Sequence, residues 1–196
     1  MKSPLSRFLE PFAHLGGDPA TEPARLERQA LQMRRIENLL SPDVDALVAL
    51  VMDNPRYRLE TQRRKPHPSD AVDLLRGLPP PAMPQQKYFW GLWLEDEMIG
   101  HLEVLRRWPR AHYLYVGSLF IAERWQRQGY GHAAIEMLSS RTHGWPGIRR
   151  WRLAVVETQS SALAFWKQCG FSPTGQRHCL PDYPTPLLMM EKFISH

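Results

Sequence analysis

The hydrophobic pattern of this chain changes period along its length, and the changes outline its elements. Residues 87–94 contain Tyr88-Phe89-Trp90-Gly91-Leu92-Trp93-Leu94, nearly all apolar and rich in aromatics, which predicts a strand. Residues 98–106 predict a second strand, with Ile99, Leu102 and Leu105 in a mixed pattern. The charged turn Glu95-Asp96-Glu97 makes the two a hairpin. Trp108-Pro109 ends it, and residues 113–121 form a third aromatic and β-branched run without proline, so three strands in sequence predict an antiparallel meander. The period then becomes helical: Tyr130, Ala133, Ala134, Met137 and Leu138 fall at i, i+3, i+4, i+7 and i+8. After the turn Gly144-Trp145-Pro146-Gly147, residues 151–157 are apolar on both faces, as a central strand would be. A helix capped by Ser160 or Ser161 follows, with Ala162, Phe165, Trp166 and Cys169 as its stripe and Gly170 at its C-cap. Residues 172–179 and 187–194 predict the last two strands.

The part before the meander is less regular. Residues 31–36 predict a first strand. Ser41-Pro42-Asp43 opens a helix whose apolar face is Val44, Leu47, Val48 and Val51, and Asn54-Pro55 closes it. Residues 56–68 read as a polar, basic loop; Ser69-Asp70 starts a short helix with Val72, Leu75 and Leu78, stopped by Gly77 and the prolines after it. Residues 1–27 carry four prolines (Pro4, Pro11, Pro19, Pro23) and Gly16-Gly17 without sustained periodicity. They read as an extension, disordered in part or packed on a neighbour, ahead of one domain at residues 28–196. The order predicts an α/β fold: a mixed, mostly antiparallel central sheet with helices on both faces.

Composition narrows the classes. At 196 residues, with 43% hydrophobic and 23% charged residues, the chain suits a single domain with a full core. The net charge of +5 comes from scattered arginines, without a basic helix or an aromatic-interleaved basic groove, so a nucleic-acid partner is not expected. The longest apolar run is too short to span a bilayer, no secretory segment follows Met1, and no membrane role is expected. Cys169 and Cys179 have no metal-ligand spacing. A reducing, cytoplasmic location is the expectation, with no metal, as monomer or homodimer.

The stretch that offers chemistry joins the third meander strand to its helix. Gly129 and Gly131 remove side chains where amides of the first helical turn lack intrahelical partners, and the helix dipole favours an anion there. Arg124 and Arg127 add positive charge. The residues therefore predict a phosphate or pyrophosphate site. Gly129-Tyr130-Gly131-His132-Ala133-Ala134 also fits a dinucleotide fingerprint, with Glu157 at a distance suited to a ribose carboxylate. That fingerprint places its first glycine directly off the strand, whereas residues 123–128 intervene here.

Gln126-Arg127-Gln128-Gly129-Tyr130-Gly131 resembles the acetyl-CoA loop of the GCN5-related N-acetyltransferases (GNAT), Gln/Arg-x-x-Gly-x-Gly/Ala. A second stretch, Gln159-Ser160-Ser161-Ala162-Leu163-Ala164-Phe165-Trp166-Lys167-Gln168-Cys169-Gly170-Phe171, is similar to the family's Asn-x-x-Ala-x-x-Phe/Leu-Tyr-x-x-x-Gly-Phe. The resemblance covers residues 31–193 and implies a GNAT-like domain that uses acetyl-CoA. It implies that strands 117–121 and 151–157 splay, that Leu119 and Ile121 pair with the pantetheine arm, and that amides 127–132 hold the pyrophosphate. Gln126, Arg127, Gln128, Gly129, Tyr130, Gly131 and His132 then line the cofactor with Gln159, Ala162, Phe165 and Trp166. An amide near Phe120 would polarise the thioester and stabilise its tetrahedral oxyanion.

The acceptor implied is a primary amine of a small molecule or peptide, attacking directly. A protein lysine or N-terminal acetyltransferase and a non-catalytic acyl-CoA-binding module are the alternatives. Two positions depart from the pattern: Trp166 stands where many members have a tyrosine acid, and an indole does not titrate usefully; Gln159 replaces asparagine. Some members carry a glutamate where Tyr115 stands, but a phenol is a weak base at neutral pH. Glu103 is the candidate base in its place, with His112, Glu157 and Asp182 behind it.

Overall fold

The structure, a computed structural model, describes residues 30–181 and 183–194. The extension at residues 1–27 and Asp182 therefore lie outside the described residues. In chain order the elements are β1 (Gln32–Arg35), α1 (Asp43–Asp53), α2 (Arg56–Gln62), α3 (Ser69–Arg76), β2 (Lys87–Leu94), β3 (Glu97–Arg106), β4 (Tyr113–Ile121), α4 (Tyr130–Thr142), β5 (Arg150–Val156), α5 (Ser160–Gln168), β6 (Ser172–His178) and β7 (Leu187–Phe193). They build one seven-stranded sheet in the order β1-β2-β3-β4-β5-β7-β6. Every neighbouring pair is antiparallel except β4 and β5, which run parallel.

Both faces of the sheet are covered, which explains why the central strands read as apolar runs rather than alternations. On β2, Trp90, Leu92 and Leu94 join one core with Leu102, Val104, Val116, Leu138, Leu153 and Trp166, under α4 and α5. Phe89 and Trp93 join the opposite core with Leu47, Leu50, Val51 and Ala71, under α1 and α3.

One helix departs from the sequence expectation. Residues 56–62, read as loop, form α2. Pro55 ends α1 and at once sets the φ of −71° that opens the next helix. Arg56 to Glu60 and Arg58 to Gln62 hydrogen bonds at i, i+4 then hold its two turns. In α3 the most buried residues are Asp70 and Ala71. The Asp70 carboxylate accepts from Arg64 at 2.6 and 3.0 Å and from the His67 amide at 3.0 Å, with Arg58 at 3.6 Å. This anchor fixes α2 against α3 on the sheet face where the site lies.

Candidate active site

The parallel pairing of β4 with β5 covers only residues 113–116 with 150–153. Beyond Val116 and Leu153 the two strands have no mutual pairing, so a gap opens in the middle of the sheet. A bulge accompanies it. Glu103 of β3 lies opposite Ser118 while Val104 lies opposite Val116, so Gly117 is the extra residue in β4. Gly117 is exposed although it belongs to a central strand. A Cβ there would lie 2.8 Å from the Glu103 carboxylate, so only glycine lets that carboxylate border the opening.

Backbone alternation decides which β4 groups face the gap. The Ala122 amide donates to Ile99 O of β3 at 2.8 Å, whereas Ile121 O accepts from the Gln126 side chain at 2.8 Å on the other side. Residues of one parity share a side, so Leu119 and Ile121 present their amides and carbonyls to the gap, and Phe120 turns its own toward β3. The amide near Phe120 that faces the gap is thus that of Leu119.

The gap leads to the loop before α4. Gly129 caps the helix at φ 91°, a left-handed conformation that costs any other residue. The first α4 donor is Ala133, to Gly129 O at 3.0 Å. The amides of 127–132 donate to no group among the described residues. The loop that carries them is braced from outside. Trp125 Nε1 donates to Glu97 at 2.7 Å, Arg124 pairs with the same carboxylate, and the Asn54 side chain accepts from the Glu123 amide at 2.9 Å. Arg124 is thereby committed to Glu97, whereas Arg127 has no ion-pair partner among the described residues. Gln128 donates to Arg124 O at 2.7 Å, and Tyr130 packs edge-on to Trp125.

The α5 residues fall into two groups. Phe165 approaches the first turn of α4: a Cβ on Gly131 would lie 3.1 Å from its ring, and His132 meets the ring edge-on at 4.9 Å. Ala162 is half-buried beside it. Trp166 is turned into the core, 5.2 Å from the Phe171 ring. Gln159 donates to Glu60 of α2 at 3.3 Å, joining the start of α5 to the opposite layer.

Around Glu103 lies the second half of the site. The residue is 9% exposed, and its carboxylate is 3.2 Å from Lys87 Nζ. Burial pushes its pKa up, and Lys87 opposes the rise only in part. Lys87 is also held by Gly77 O at 2.6 Å. Tyr115, on the same face of β4, is pushed up to about 12 by burial, with Glu103 adding to the rise against Arg152.

Beside Glu103 is His101, which the sequence reading did not single out. Its ring is stacked between Phe89 at 5.3 Å and Phe120 at 5.6 Å, and neither nitrogen has a hydrogen-bond partner among the described residues. Burial, with Arg58 and Lys87 nearby, lowers its pKa to about 3, so the ring is neutral. The other base candidates among the described residues are elsewhere: Glu157 is ion-paired with Arg177 at 2.7 Å on the surface, and His112 packs tilted against Tyr113 at 4.6 Å. Among the described residues no His, Cys, Asp or Glu side chains gather in the number a metal ion needs, and no helix is long and apolar enough to cross a membrane.

Residues 52–171 match the family model described as the Acetyltransferase (GNAT) family. The chain belongs to the GNAT acetyltransferase family. Solved structures share this GNAT fold across nearly their whole length. An acetyltransferase from Thermus thermophilus is 22% identical with a TM-score of 0.63, covering 84% of this chain and 97% of its own. The ribosomal-protein-S18-alanine N-acetyltransferase from Escherichia coli is 15% identical with a TM-score of 0.61, covering 85% and 96%. PaiA N-acetyltransferase from Thermoplasma acidophilum, solved in complex with coenzyme A, is 14% identical with a TM-score of 0.60, covering 84% and 99%. A search among curated proteins gave no match. As a GNAT member the chain is an N-acetyltransferase, and the dinucleotide reading of the Gly129 loop falls away.

Proposed function

We propose that this GNAT enzyme transfers the acetyl group of acetyl-CoA to a primary amine by direct attack. The observation that carries the reading is the alignment of three features along one path. These are the edge of β4 at Leu119 and Ile121, which has no strand partner in β5, the bare amides 127–132, and the Glu103 carboxylate at the other end beside Gly117. The amides suit a diphosphate because a helix N-terminus and consecutive free N–H groups both attract negative charge. The β4 edge suits the amide-bearing pantetheine arm, which can extend the sheet as a strand would. Phe165 and Ala162 flank the same path from α5.

At the reacting end, the Leu119 amide points into the gap and would donate to the thioester oxygen as negative charge develops on it. The amine nitrogen attacks the carbonyl carbon from the Glu103 side; the N–C bond forms and the C–S bond breaks. Glu103 accepts the proton shed by nitrogen, the departing sulfur takes one from water, and Glu103 returns its proton to the hydroxide left behind, giving amide, thiol and an ionised Glu103. Trp166, buried against Phe171, supplies no proton. A raised pKa suits Glu103 to this work, since a stronger carboxylate base accepts a proton more readily near neutral pH.

Thermal-shift titration tests the donor: acetyl-CoA and CoA raise the melting temperature and NAD does not. Gly129→Val, which strains the αL position beneath the amides, weakens CoA binding at least about tenfold in a folded protein. Stabilisation by NAD alone, or a folded Gly129→Val variant with unchanged CoA affinity, overturns the reading.

A further inference from the structure

The described residues on the acceptor side of Glu103 form an aromatic arc rather than an acidic one. Phe120 is met edge-on by Tyr57 of α2 at 6.1 Å. Tyr57 is 45% exposed, and its hydroxyl, whose pKa burial raises, lies close to Tyr183 from the β6–β7 connection. Tyr183 lies close enough to Tyr115 to interact with it electrostatically, and Tyr115 is backed edge-on by Trp108 at 4.7 Å. Three separate segments thus turn rings toward the neighbourhood where Gly117 leaves the Glu103 carboxylate at the opening.

Among the described residues, the carboxylates around this arc are already paired. Glu60 is held by Arg56, Asp70 by Arg64, and Glu191 by Arg150 and Arg152. Glu103 itself is paired with Lys87. A polyamine, an amino sugar or a lysine-rich tail brings further ammonium groups and would find arginines where it needs carboxylates. A single amine on an apolar, flat body meets no such conflict, and its ring gains edge and face contacts with the arc.

We propose that the acceptor is an arylalkylamine, a primary amine on a short chain from a flat ring, with its nitrogen beside Glu103 and its ring against Tyr57 and Tyr115. This rests on the acetyl-transfer reading above and names its substrate class. Free arylalkylamines, aromatic amino acids and peptides with an aromatic first residue share that chemistry.

The test uses the full chain with acetyl-CoA and follows thiol release. The panel is 2-phenylethylamine, L-phenylalanine, a short peptide amide beginning with phenylalanine, spermidine, and a lysine-rich peptide. At least one aromatic acceptor should exceed spermidine and the lysine-rich peptide in kcat/KM by roughly 10–100-fold. Which aromatic arm leads identifies the source. Tyr57→Ala should raise KM for that acceptor while thermal stabilisation by CoA is unchanged, and Tyr57→Phe should retain most of the affinity, which separates ring contact from misfolding. Equal or better turnover of spermidine or the lysine-rich peptide overturns the proposal, as does an unchanged KM in Tyr57→Ala. If acetyl-CoA stabilises the protein and no aromatic amine reacts, the substrate class alone is wrong. If acetyl-CoA fails to bind, the transfer reading falls and takes this with it.

Discussion

At the scale of single residues, the proposed chemistry depends on a carboxylate and the glycine that makes room for it. Glu103 is nearly enclosed, its pKa raised by burial against the partial compensation of Lys87. As a base it must be ionised, so kcat/KM should fall as pH drops through its raised pKa, giving an acid limb above the ordinary carboxylate range. Glu103→Gln should remove that limb and lower kcat roughly 10²–10⁴-fold with CoA affinity intact, as read from pH–rate profiles. An unchanged limb would assign the proton to another group. Gly117→Ala puts a methyl 2.8 Å from the same carboxylate. It should reduce kcat by displacing Glu103 while leaving the thermal shift with CoA in place; loss of CoA binding instead would mean the bulge shapes the cofactor path. Glu103 is a candidate that the sequence offers as a carboxylate on β3, the strand preceding the one that leads into the glycine loop. Lys87 was not legible there, because its pairing depends on the β2–β3 register. Gly117 carried a signal that went unused, since a lone glycine within a strand pattern often marks a bulge. His101, Tyr57 and Tyr183 could not be found by spacing, because the sheet face and the α2 helix bring them together only in three dimensions.

At the scale of elements, the strands and the two helices after the meander were legible because their periods are long and both faces of the sheet are buried. β2 and β4 match the expected residues at both ends. The polar stretch 56–62 was not legible: its helix is held by i, i+4 polar pairs and by docking, not by an apolar stripe. Asp70 is the tie in that region. Burial alone would raise its pKa, but the Arg64 hydrogen bond, the His67 amide and the charges of Arg58 and Arg64 outweigh it and hold the carboxyl below its ordinary value. A depressed folded pKa contributes stability that is present above the unfolded value and is lost as pH falls through the folded one. Asp70→Asn should therefore cost about 1–3 kcal/mol at neutral pH by urea unfolding, because it removes the buried carboxylate charge that partly exposed Arg64 and mostly buried Arg58 share. The deficit should shrink as pH falls below the ordinary aspartate range, where the wild-type carboxyl also protonates. A deficit that stayed constant with pH would mean the loss is one of shape and not of charge.

At the scale of the whole molecule, the gap divides the sheet into β1–β4 and β5–β7, joined in the sheet by the short parallel ladder of residues 113–116 with 150–153. Each half is closed by its own antiparallel pairing, so this ladder is the seam where the two halves meet within the sheet. Four residues of parallel pairing hold it, and the edges beyond Val116 and Leu153 are without strand partners across the gap. A ligand whose arm lies along the β4 edge and whose diphosphate sits on the α4 amides would bridge that seam. It would bind the folded state alone, because neither the gap nor the ordered loop survives unfolding. By mass action such a ligand stabilises by about 2.7 kcal/mol at a hundred times its Kd. Amide exchange should locate this gain. With CoA bound, protection should rise at Leu119, Ile121 and residues 127–132, and also at 154–156 on the far side of the gap, whose own sequence offers no phosphate contact. β2 and β3, already paired on both sides, should change little. If protection rose only at the loop, the diphosphate would be held there while the arm lay outside the sheet, and the Leu119 amide could not serve the thioester. Joint protection on both sides of the seam would show that binding the donor completes the sheet, so that the catalytic geometry at Glu103 is set by the same contact that stiffens the fold.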